Sequence, residues 1–205
     1  MEKYKASSIA TLSALKIHVP DHLPLIEGID DVEPRTAADV AARLCAMSYV
    51  IGLGYDVPGN ELKSKIEKYG LSEYVSIYEM ALLNQDSISQ QDKFNMQWLA
   101  EAAQALAWTI GLVEMDHFQG CDDDLAEKIP FNTDPSCFIS ESKLRPLDEI
   151  QQQADLLYRM HWYAKNCRFE GKESKLCEST ISERRKAIDW AYGVEEDWDE
   201  VPMDT

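Results

Sequence analysis

Leu156-Leu157-Tyr158-Arg159-Met160-His161-Trp162-Tyr163-Ala164 is the run whose reading decides the fold. At about 100° per residue its side chains are apolar or aromatic on nearly every side. A helix of that kind is normally enclosed by others. It lies inside a longer helical stretch, Leu147–Arg168. Asp155 and Arg159 are four apart, the spacing that brings an acid and a base together on one face. His161 falls on the opposite side, among Ile150, Ala154, Leu157 and Ala164. Arg159 cannot shed its proton, so within an enclosed helix it must be paired. Asp155 is the nearest candidate and Glu101 the second. The pair then either fixes helix register or clamps an anionic ligand.

A second stretch, Ser89–Val113, has the same character. Trp98, Leu99, Ala102, Ala103, Leu106, Ala107, Trp108, Ile110 and Leu112 cover most of its circumference. Lys93, Gln97, Glu101 and Gln104 form one narrow polar stripe. The simpler reading makes that stripe the water-facing strip of the helix. The alternative sets Glu101 against a cation from another helix in a partly dry cleft.

Working outward, helix signals dominate. Thr36 and Asp39 fit a capping box, and Val40, Leu44, Met47 and Ile51 recur at helical spacing until Gly52. Further helices are expected from Asn60 to Gly70, from Ser72 to Leu83, and from Thr180 to Gly193. Residues 116–146, with three prolines and Asp122-Asp123-Asp124, read as irregular. No segment alternates with period two. The expected fold is an all-α, single-domain bundle of about six to seven helices with two long central ones. Residues 1–19 read as an N-terminal extension, 20–193 as the helical domain, and 194–205 as an acidic tail docked on it by Trp198.

Charge narrows the function classes. Among 205 residues, 20 Lys and Arg stand against 37 Asp and Glu, a net charge of −17. Such a surface repels phosphate backbones and anionic lipid, so neither a nucleic-acid nor a membrane partner is expected. Residues 159–186 reverse the sign, with eight basic and four acidic side chains, and residues 187–205 carry seven acids and no base. The tail is expected to lie near Arg184, Arg185 and Lys186. A nucleic-acid contact by the basic segment is the weakest alternative.

The five cysteines form no Cys-x-x-Cys. Lys3, Lys5 and Lys16 interrupt any leader-like apolar run, and no stretch of about 18 apolar residues is expected to span a bilayer. A reducing, cytoplasmic setting follows as an expectation. No phosphate-binding loop, nucleophile elbow or His-Glu-x-x-His occurs. Pro20 separates His18 from His22, and Asp122-Asp123-Asp124 near His117 and Cys121 lacks calcium-loop spacing. No metal or cofactor is expected. Cys45 reads as a small core residue.

The candidate site residues are therefore few. Glu101 and His161 are the acid–base candidates; His161 as a base would need a cleft and an orienting carboxylate. Arg145, Asp155, Arg159 and Trp162 are the binding candidates. The favoured function is a non-enzymatic interaction module for a basic protein partner. The alternative is an enzyme of unrecognised type, with Glu101 and His161 exchanging protons and Arg159 or Arg145 gripping an anion.

Several blocks carry a family resemblance: Leu23-Pro24-Leu25-Ile26-Glu27, Arg35 to Arg43, Trp98-Leu99-Ala100-Glu101, Leu106 to Gly111, Leu144-Arg145-Pro146, Asp155 to Trp162, Glu183 to Trp190, and Trp198 to Thr205. In order and spacing they resemble domain-of-unknown-function family 4272, over roughly residues 20–205. Asp189 stands where that pattern has Asn, and Met203 where it has Thr. The resemblance implies no reaction, cofactor or catalytic residue. It marks Glu101, the Asp155/Arg159/His161/Trp162 group and the closing tail as signature positions.

Overall fold

The computed structural model describes residues 1–205 and is all helical. Its α-helices are α1 (Glu2–Ala14), α2 (Ala37–Val50), α3 (Gly59–Lys68), α4 (Ile77–Leu83), α5 (Gln90–Thr109), α6 (Leu125–Lys128), α7 (Ser136–Glu141), α8 (Leu147–Phe169) and α9 (Glu178–Tyr192). Nine helices replace the expected six to seven. The additional three are α1 and the short α6 and α7. Helices of four and six residues are too short to show a 3.6-residue period, so 116–146 reads as loop.

The caps explain the boundaries. Thr36 and Asp39 form the capping box of α2, each side chain accepting the other's backbone N–H. Ser76 and Glu79 do the same for α4, which is why that helix starts at Ile77 and not near Ser72. Helix α5 stops at Thr109 because Gly111 turns left-handed at φ +71° and its N–H reaches back to the Trp108 carbonyl. Ile110 and Leu112 thus leave the helix.

Helix α9 packs on both α5 and α8 and stands between them; beyond these lie α2 against α5 and α1 against α8. The two long helices α5 and α8 are therefore separated by a third, α9, which carries Trp190. Residues 1–19 hold α1, whose Tyr4, Ser8 and Leu12 are buried and whose Ser8 hydroxyl accepts from Gln152 on α8. One cluster of 41 buried apolar residues runs from Leu12 to Val201, so all these elements share one core. The stretch Ala37–Tyr55, α2 and the turn after it, has a mean hydropathy of 1.3 and the length to cross a bilayer. The sequence reading missed it, because Asp39 and Arg43 interrupt the apolar run. Two-thirds of it is buried in the bundle.

Two irregular segments frame the end of α9. Gly193 closes the helix at φ +90°, and a Cβ there would fall 2.1 Å from the Glu33 carbonyl oxygen. The strap 20–36 runs past this point, tied by the Arg35 amide to the Ala191 carbonyl at 3.0 Å. The tail 194–205 folds back on the other side, its Trp198 and Val201 buried.

Candidate functional site

Four arginines are buried, and each is paired with a carboxylate. Arg43 meets Glu79 through two hydrogen bonds of 2.7 Å. Arg159 meets Asp155 through two of 2.8 Å and also donates to the Pro24 carbonyl. Arg184 holds Glu101 and donates to the carbonyls of Asp116 and Gln119. Arg185 holds Asp189 and reaches the carbonyls of Pro202 and Asp204. A buried guanidinium is tolerable only with such partners, because its hydration is lost and its proton cannot be.

Glu101 is thus covered, not water-facing. Its Oε2 takes Arg184, its Oε1 takes the Cys121 amide, and residues 114–122 lie over the polar stripe. The reading that set it against a cation from another helix describes what is found. That cation is Arg184 of α9, which meets Glu101 and not the tail.

His161 and Glu101 are not brought together. Nδ1 of His161 lies 3.0 Å from Nη1 of Arg185. A guanidinium only donates, so Nδ1 accepts and the imidazole is neutral. Burial and then the Arg185 charge push this histidine down to about 4. Its neighbour is a cation where a general base would need an orienting carboxylate. Arg145 lies apart from both, clamping the end of α5: it stacks on Trp108 and bonds the Trp108 and Val113 carbonyls and Glu114. Its Nε and Nη2 are occupied by the fold, and its Nη1 stands 3.7 Å from the Glu149 carboxylate.

The residues that do converge surround a cavity of about 530 Å³ between strap, tail, α8 and α9. Trp162 and Tyr158 come from α8, Arg185 and Asp189 from α9, Glu27 from the strap and Asp204 from the tail. The Asp155–Arg159 pair stands behind this wall, bound to Pro24 of the strap. Tyr158 has the guanidinium of Arg159 at 5.9 Å from its ring and that of Arg185 at 5.0 Å. Burial pushes the Asp189 carboxyl up to about 7, against the pull of Arg185. Asp189 was not among the residues singled out from sequence. Its signal was present, since Arg185 and Asp189 repeat the four-residue spacing of Asp155 and Arg159.

No group of three His, Cys, Asp or Glu side chains is placed to hold a metal ion. His117, next to the Asp122-Asp123-Asp124 run in sequence, faces Gln153, while Cys121 and Asp122 engage Gln104.

A family model described as domain of unknown function (DUF4272) matches residues 4–201, and so includes α1. No curated protein and no solved structure matches the chain.

Proposed function

The chain belongs to that family of unknown function, and from this premise we propose that it is a non-enzymatic interaction protein whose acidic exterior receives a basic protein partner in the cytoplasm. One observation carries the reading. Of the 20 Lys and Arg and 37 Asp and Glu, four of each are locked in buried pairs, leaving 16 bases against 33 acids for the rest of the molecule. The buried pairs are neutral, so the whole net charge of −17 falls on the rest of the molecule, where acids outnumber bases by about two to one. A field of that sign speeds encounter with a basic protein and repels acidic ones.

Exposed apolar side chains supply short-range contacts for such an encounter. Ile77 is 77% exposed and Phe169 70% exposed. Desolvated anchors of this kind carry most of the energy in protein interfaces, with charge setting rate and partner choice. All five cysteines are unpaired, which suits a reducing compartment.

The test is the association rate with folded basic proteins, and with acidic ones of equal size, at several ionic strengths. Rates with basic partners are expected to fall steeply as salt rises, because screening shortens the reach of the field. Binding that is indifferent to salt, or equal for acidic and basic proteins, would overturn the reading.

A further inference from the structure

We propose that the cavity between strap, tail, α8 and α9 is a recognition site for an organic cation, an alkylguanidinium or alkylammonium group. The cation sits against Trp162, with Asp189, Glu27 and Asp204 as its counter-charges. This rests on the reading of the protein as a binder of basic partners, and names the chemical group that such a partner inserts.

The charge of the lining comes first. Three carboxylates and one guanidinium line the cavity. That guanidinium is already committed: Arg185 donates to Asp189, His161 and the Asp204 and Pro202 carbonyls. It has no free pair of donors to grip an anion, and the surrounding acids oppose one. A cation meets the opposite situation. Asp189 is only 6% exposed and accepts from Arg185 through Oδ2. Its Oδ1 takes no hydrogen bond from the protein and opens into the cavity, where a donor from a ligand can reach it. A carboxylate oxygen so placed can accept a charge-assisted hydrogen bond from a bound cation.

The walls suit the rest of such a ligand. Tyr158 already has a guanidinium on either flank, whereas no cation of the protein stands over Trp162. Its indole is the strongest aromatic surface for a cation. Leu23, Ile26, Val194 and Pro202 contribute apolar surface along which an alkyl stem can lie while its charged head reaches the carboxylates. At about 530 Å³ the space falls within the range of roughly 300–1,000 Å³ typical of small-ligand sites.

Asp189 also predicts a pH signature. The groups around it are Arg185 and Tyr192 on its own helix, Tyr158 from α8 with His161 on the far side of Arg185, His22 and Glu27 from the strap, and Asp204 from the tail. Burial puts Asp189 at about 7, within the interval from pH 6 to 8, while it drives His161 down to about 4 and Tyr192 up to about 12, outside it. Cation binding requires the ionised carboxylate, so affinity rises across that interval.

The experiment titrates the full chain with agmatine, with an arginine-containing tripeptide blocked at both ends, and with the same tripeptide carrying neutral citrulline. Tryptophan fluorescence and calorimetry report binding. The arginine peptide is expected to bind, the citrulline peptide about tenfold or more weakly. Trp162→Leu and Glu27→Gln lower affinity, with thermal unfolding confirming the fold; Glu27 is exposed, so its variant keeps the core intact. Agmatine binding as well as the peptide identifies a free small cation as a sufficient ligand, and peptide binding alone identifies a partner's side chain. Equal binding of the arginine and citrulline peptides, or no binding of either cation, overturns the site. If basic proteins still associate in a salt-dependent way, the interaction reading survives that failure. Cation binding without any such association removes the interaction reading and leaves the site.

Discussion

Arg184 and Arg185 are chain neighbours on α9, yet their guanidiniums are held by different helices. Arg184 reaches Glu101 on α5, and Arg185 turns to Asp189 of its own helix and His161 on α8. About 100° of helical rotation separates the two side chains. One helix thereby presents a cation toward each of the two long helices that flank it. The pair converts a segment that looks solvent-facing into the centre of the bundle.

Removing Arg184 should be costly for that reason. Arg184→Met strands the Glu101 carboxylate with the Cys121 amide alone and releases the Asp116 and Gln119 carbonyls. A loss of about 3–5 kcal/mol in unfolding free energy is expected. Amide exchange should accelerate first in residues 116–121. Uniform acceleration over the whole chain, with those residues no faster than the core, would contradict the clamp.

The Asp155–Arg159 pair offers a cleaner cycle, because both partners lie on one helix. Arg159→Met alone should destabilise by a similar amount, since it leaves Asp155 charged and buried. The double change with Asp155→Leu removes both charges and should recover much of the loss. Strict additivity of the two single effects in thermal unfolding would show that the residues are not coupled.

Local relationships of this kind were legible in the sequence, and relationships across the chain were not. The Thr36–Asp39 cap and the Asp155–Arg159 pair each span three or four residues, so spacing alone reveals them. Glu101 and Arg184 are 83 residues apart, and nothing in either helix announces the other. The stripe Lys93, Gln97, Glu101, Gln104 is continuous in sequence but divided in the fold. Its first half stays partly exposed, and its second is roofed by the loop that Gln104 bonds at Glu114 and Asp122. In the sequence of α9, Arg184, Arg185 and Asp189 look like surface charges until their partners are known. The same blindness hid the cavity, whose walls come from four separate segments.

The tail should contribute measurably to stability. Trp198 lies edge-on to Trp190 at 5.6 Å, with the Arg43 guanidinium 4.2 Å from its ring centre. It therefore covers the buried Arg43–Glu79 pair as well as filling apolar space. Trp198→Ala is expected to cost about 3–5 kcal/mol, the range for a buried large aromatic. Removal of residues 194–205 should lower the melting temperature by at least as much. An unchanged melting temperature after truncation would mean that the tail's contacts add nothing net.

Acid sensitivity separates two groups that meet at Arg185. His161 has its pKa lowered from 6.5 to about 4 in the folded chain, by burial first and Arg185 second. Its stabilising contribution is full above about pH 6.5 and lost as pH falls toward 4, worth on the order of 3 kcal/mol. Asp189 runs the other way. Its pKa is raised from 3.8 to about 7 by burial, so its contribution is full below about pH 4 and lost as pH rises through 7. The two partly cancel in the unmodified protein between pH 4 and 7. His161→Gln keeps an acceptor for Arg185 but cannot titrate, so its melting temperature should rise relative to the parent as pH drops from 7 to 5. Asp189→Asn removes the opposing contribution, and its stability relative to the parent should improve as pH rises over the same interval. Melting curves that stay parallel to the parent from pH 4 to 8 in both variants would show that neither group is held in its neutral form by the fold.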